Sequence, residues 1–88
     1  MMKIQYHKDF DKSFKKLSPK LKQKVINTIK KFIKDPHNPT LRNHALKGRL
    51  NGKRAFSVTG DVRIIFKEID DYIVVIMLDV GIHNKIYG

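Results

Sequence analysis

The sequence predicts an α+β domain ordered β-α-α-β-β-β, with a helical hairpin packed on one face of a mainly antiparallel four-stranded sheet. Three observations predict it. Two adjacent segments repeat apolar residues at helical spacing, three later segments alternate or run apolar at strand length, and turn residues punctuate the joins. Residues 1–88 form one domain, because a chain this short builds a single small core.

Met2 to Tyr6 sets Ile4 and Tyr6 against Lys3 and Gln5 and reads as the first strand. In Lys8 to Leu17, Phe10, Phe14 and Leu17 stand four and three apart, one stripe of a short helix. Ser18-Pro19 opens the second helix with a capping hydroxyl and a proline whose missing N–H costs nothing at the first helical position. That helix runs to about Lys34, with Leu21, Val25, Ile26, Ile29, Phe32 and Ile33 inside an arc of roughly 140°. Asp35-Pro36 ends it. His37 to Asn51 is a basic connector with Gly48 and Gly52 as turn points, long enough to hint at function or a short helical turn. Lys53 to Val58 then alternates, with Arg54, Phe56 and Val58 on one face. Val62 to Ile69 follows, Val62, Ile64 and Phe66 pointing one way and Arg63, Ile65 and Lys67 the other. Tyr72 to Val80 is apolar on both faces, as a central strand is.

Hydrophobic content of 41% supports a core, and the absence of cysteine excludes disulfides, thiolate zinc sites and thiol nucleophiles. No signal peptide opens the chain and no run reaches the roughly 18–20 apolar residues of a membrane span, so a soluble cytoplasmic protein with no membrane partner is expected. Nineteen basic against eight acidic residues give +11, a field that concentrates polyanions, with nucleic acid the first candidate and an acidic protein the second. Nine lysines and no acid between Lys12 and Lys34 make either a solvated helix face or a surface for phosphate backbone. His7, His37, His44 and His83 show no ligand spacing, so no metal or other cofactor is expected.

What remains suits RNA cleavage by side chains alone. A 2′-hydroxyl attacking its adjacent phosphate needs one group to take its proton, one to protonate the leaving 5′-oxygen, and cations to steady the phosphorane. His83 is a proton carrier, Arg63 an oxyanion clamp, and Tyr87 an aromatic on which a base can stack. The site is expected where Arg63 and Lys67 face His83 and Tyr87.

The element order, Leu46-Lys47-Gly48, Gly52-Lys53-Arg54, the strand Asp61-Val62-Arg63-Ile64-Ile65-Phe66 and the ending Val80 to Gly88 together resemble the RelE/ParE toxin superfamily, with the YafQ branch of mRNA interferases nearest. The resemblance covers nearly the whole chain, and its most specific part is the final Gly81-x-His83-x-x-x-Tyr87-Gly88. It implies a RelE-like fold and a type II toxin that cuts mRNA on the ribosome, without metal, and is neutralised by a cognate acidic antitoxin. Its partners would be mRNA and ribosomal RNA, with DNA touched only through the antitoxin complex. Carried over residue by residue, His83, His44, Asp61 and Arg63 take the catalytic positions, and Tyr87 lies near the substrate base. Lys67, Arg54, Lys53 and Lys47 are the cations assigned to substrate. Two positions depart from the YafQ pattern: Ser57 stands where a further His is usual, and Ala55 where an acid is. Either His83 and His44 form the acid/base pair, or Lys and Arg carry more of the charge, or catalysis is weaker. Two other classes stay open, a ParE-like binder of a topoisomerase and a silent RNA- or ribosome-binding domain.

Overall fold

The computed structural model describes residues 2–82. Strand β1 (Lys3–Tyr6) leads into helix α1 (Lys8–Lys15), and helix α2 (Pro19–Lys34) follows after one turn. Strand β2 is the two-residue pair His44–Ala45, flanked by 3-10 turns at Pro39–Leu41 and Gly48–Leu50. Strands β3 (Arg54–Ser57), β4 (Val62–Ile69) and β5 (Val74–Ile82) complete one sheet in the order β1-β5-β4-β3-β2. Only β1 runs parallel to its neighbour, β5; the other pairings are antiparallel. The α+β class and the helical hairpin are as expected, but the sheet has five strands rather than four. The additional strand comes from the connector, where His44 pairs with Ala55 and Ala45 with Arg54.

The start of α2 is fixed locally. Ser18 Oγ accepts the Leu21 N–H at 3.2 Å, and Pro19 occupies the first turn. Ser18→Ala is therefore expected to destabilise the domain by about 1 kcal/mol, read as a lower denaturation midpoint at unchanged slope. Along α2 the buried residues are Val25, Ile29 and Phe32, whereas Ile26 and Ile33 are 39% and 43% exposed. The apolar arc read from sequence is thus wider than the face that packs. Phe32 is the hub of the core: its ring stacks on Phe56 at 4.5 Å and meets Phe66 edge-on at 5.0 Å.

Strand alternation sorts the sheet into two faces. Phe56, Val62, Ile64, Phe66, Val75, Met77 and Val80 join Phe10 and the α2 residues in one buried cluster. Arg54 lies opposite Phe66 in the ladder and so shares that helix-side face. On the second face, His44, Ala55, Ile65 and Asp79 form one row across the strands, and Ser57, Arg63 and Gly81 the next.

The β4–β5 ladder shifts register by one: Ile65 pairs with Asp79 but Phe66 with Met77, leaving Leu78 as a bulge. This extra residue explains how β5 can bury Val75, Met77 and then Val80 on the same side. β5 also begins later than the sequence suggests. Asp70, Asp71 and Tyr72 all have positive φ (55°, 54° and 69°), and the Glu68 carboxylate accepts the Tyr72 N–H at 3.1 Å. The turn sends the Tyr72 ring back to Phe32 and Phe66 instead of forward along the sheet. No helix among the described residues is long and apolar enough to cross a membrane.

Candidate active site on the second face of the sheet

Arg63 anchors the first cleft. It sits one residue into β4, after a turn in which the Thr59 hydroxyl accepts the Asp61 and Val62 N–H groups at 3.2 and 3.0 Å. One guanidinium nitrogen, Nη1, donates to the Thr59 carbonyl at 2.7 Å and the Val62 carbonyl at 3.3 Å. The side chain is held by that edge, and Nε and Nη2 make no hydrogen bond among the described residues. The cleft beside it holds about 230 Å³ and is lined by Thr40, Arg42, Ser57, Thr59 and Arg63. Two guanidiniums and three hydroxyls, with no carboxylate among the described lining residues, are a donor set whose chemistry suits an anion of phosphate type.

Arg42 is one of the cations of the basic connector His37 to Asn51. It takes a left-handed conformation (φ 51°) that caps the Pro39–Leu41 turn, and this reverses the chain toward β2. No glycine or asparagine at position 42 announces that turn, so the sequence carries no signal for it. The same geometry places the Arg42 carbonyl 2.8 Å from His44 Nδ1. A carbonyl can only accept, so the neutral ring carries its proton on Nδ1 and leaves the Nε2 lone pair to accept one.

The other sequence candidates divide by position. Ser57 pairs with Arg63 across the ladder and lines the cleft. Asp61 lies in the adjoining turn, exposed, its carboxylate without a partner among the described residues. His44 is two strands and one row from Arg63, roughly 12 Å at Cα by sheet spacings, on the same face. Lys67 points to that face too but stands four residues along β4, about 13 Å away, so the structure does not bring it to Arg63. Lys47 is exposed at the start of the second 3-10 turn. Arg54 is on the opposite face, where its Nε donates to the Asn43 side-chain oxygen at 2.9 Å and Asn43 in turn donates to the Tyr72 hydroxyl at 2.9 Å. Its part-buried bond to a neutral amide ties the connector to the core, a different task from the substrate contact expected of it. His83 and Tyr87 lie outside the described residues.

A second cleft, about 290 Å³, has Lys53, Ile65 and Asp79 among its walls. The sequence reading missed Asp79, whose only signal is a single acid inside the apolar run from Ile73 to Val80. Among the described residues no group of three or more His, Cys, Asp or Glu is arranged to hold a metal ion. The Tyr6 hydroxyl has its pKa raised by burial, with the Asp11 charge adding to it; it belongs to the α1–α2 side and not to these clefts.

A helical hairpin laid on this mixed sheet is the architecture of the RelE-like toxins. Residues 2–88 match the family described as bacterial toxin of type II toxin–antitoxin system, YafQ, and the chain belongs to that family. The crystal structure of YafQ from Escherichia coli is similar over 100% of both chains, at 22% identity and a TM-score of 0.83. YafQ in the E. coli DinJ–YafQ toxin–antitoxin complex is similar over the same spans, at 22% identity and 0.80. A copper-bound variant of a Helicobacter pylori toxin shares 30% identity over 97% of this chain and 98% of that one, at a TM-score of 0.69. No curated protein matches the chain.

Proposed function

We propose that this toxin is a ribosome-dependent endoribonuclease that cuts mRNA by acid/base catalysis with side chains alone. The observation that carries the proposal is the Arg63–Arg42 cleft, a two-guanidinium receptor on the sheet face that also holds His44. In the scheme the RNA 2′-oxygen bonds to its own 3′-phosphorus as its proton passes to His44 Nε2. Arg63 and Arg42 steady the charge that builds on the phosphorane oxygens. The bond to the 5′-oxygen then breaks as His83 gives that oxygen a proton, and Tyr87 holds a neighbouring base by stacking. Asp61 supplies a carboxylate at the same end of the sheet, and Lys47 and Lys67 attract the backbone from further out. Ser57, in place of a family His, removes one imidazole from the cleft and leaves more of the charge to the two arginines.

The test is to map mRNA ends on translating ribosomes and to identify the new 3′ termini. Cuts that depend on the ribosome and end in a 2′,3′-cyclic phosphate, or the 3′-phosphate derived from it, are expected. A 3′-hydroxyl product would sink the 2′-hydroxyl attack. No cutting, together with stabilised topoisomerase–DNA cleavage complexes, would favour the ParE-like reading.

The E. coli relative is seen bound to DinJ, and an acidic antitoxin is the partner proposed here by kinship. The lysines of α2 have no carboxylate partner among the described residues, so they are available to such a chain. Contact with DNA would then come through the antitoxin complex. The on-rate for the antitoxin is expected to fall as ionic strength rises, and stopped-flow rates indifferent to salt would refute electrostatic capture.

A further inference from the structure

We propose that the second cleft is a nucleobase subsite that selects an amino-bearing base (adenine, cytosine or guanine) over uracil, an inference that rests on the endoribonuclease reading above. Its lining is unlike that of the first cleft. Leu50, Ile65 and Leu78 give apolar walls, Lys53 gives a cationic donor, and Asp79 gives an acceptor, with His7 and Asp9 completing the lining. A carboxylate on the RNA-facing side of a protein with net charge +11 repels phosphate. It fits a base edge instead, where an exocyclic amine is a donor in need of an acceptor.

Asp79 is built to present that acceptor. Its Oδ1 takes the Ser13 hydroxyl at 2.6 Å and its neighbour's N–H, that of Val80, at 2.8 Å. Those two bonds fix the carboxylate plane and leave Oδ2 without a partner among the described residues. Lys53 lines the same cleft yet forms no ion pair with Asp79. The two opposite charges thus stand unpaired in one cleft that Ile65 also lines, and in the proposed subsite a flat ring bridges them with its amine on Oδ2 and a ring nitrogen or carbonyl on the Lys53 ammonium. Uracil carries a carbonyl where adenine and cytosine carry the amine, so in the pose those bases take it sets oxygen against oxygen at Asp79, and its one edge donor, the ring N3–H, lies elsewhere on the ring. His7 and Asp9 also line the cleft; the His7 Nδ1 accepts the Asp9 N–H at 3.0 Å and stands 3.6 Å from the Asp9 carboxylate.

Position supports the assignment. Ile65 and Arg63 point to the same face two residues apart, about 7 Å along β4. A base in the second cleft and a phosphate at Arg63 thus belong to neighbouring nucleotides.

The experiment compares cut-site profiles of the whole protein and its Asp79→Asn variant on translating ribosomes. Asparagine can keep both Oδ1 bonds while its amide NH₂ replaces Oδ2, turning the acceptor into a donor that suits the uracil carbonyl. The native protein should cut with uracil depleted at one fixed position beside the scissile bond. Asp79→Asn should raise the share of uracil there about tenfold, the scale of one hydrogen-bonded base contact. Lys53→Met, which leaves Asp79 untouched, should flatten the preference among bases and serves alone if Asp79→Asn does not fold. A native profile indifferent to uracil, or folded variants that cut with the native profile, would overturn the subsite. A native protein that cuts no mRNA on ribosomes overturns the endoribonuclease reading itself, a result distinguishable from either.

Discussion

His83→Ala is expected to lower single-turnover mRNA cleavage by about 10²–10⁴-fold, the usual worth of a positioned proton donor. The leaving 5′-oxygen is a poor leaving group without a proton, so the loss should fall on the chemical step and leave ribosome binding intact. Antitoxin binding and thermal stability are the controls, and both should match the native protein. Arg63→Ala should cost about 10²–10³-fold by removing a charge-stabilising donor. Tyr87→Ala should hurt less than either, and Tyr87→Phe little, because stacking needs the ring and not the hydroxyl. Full activity in His83→Ala removes that residue from the mechanism; full activity in Arg63→Ala removes the cleft on which the proposal stands.

Phe32→Ala is expected to remove a large share of the domain's stability and to lower its denaturation midpoint more than Ser18→Ala or Phe32→Leu. The ring is fully buried and touches both Phe56 and Phe66. Truncating a buried Phe costs about 3–5 kcal/mol, against a total of about 5–15 kcal/mol for a small domain. Phe32→Leu, which keeps most of the volume, should cost clearly less. Equilibrium urea unfolding measures both; equal midpoints for native and Phe32→Ala would mean that the core does not depend on this hub.

The helices and the facing of β3 and β4 were legible because local chemistry decides them. Ser18-Pro19 and Asp35-Pro36 bracket α2, and its observed bounds, Pro19–Lys34, follow them. Gly48 and Gly52, read as turn points, do take positive φ at 67° and 89°. What was not legible depends on tertiary partners. His44–Ala45 is a strand only because β3 lies beside it, and no two-residue pattern can reveal that. Tyr72 reads as the start of an apolar strand, yet the left-handed run ending there turns it to the core. For the site, residue type pointed to Arg63 but could not separate it from Arg54. One cation lines a cleft and the other bonds an amide through its Nε on the helix side, a distinction set by ladder register and side-chain bonding.

The unpaired Leu78 has a consequence for how such a protein can change. An uninterrupted ladder would alternate straight from Met77, sending Asp79 toward the core and Val80 away from it. With Leu78 present, two consecutive residues oppose Ile65 and both line the second cleft. Removing Leu78 would heal the ladder, keep Val75, Met77 and Val80 in the core, and narrow the cleft by one wall. A chemical feature of the surface and the continuity of the core are thus separable by the gain or loss of a single codon, a shorter route to a reshaped cleft than a set of concerted substitutions.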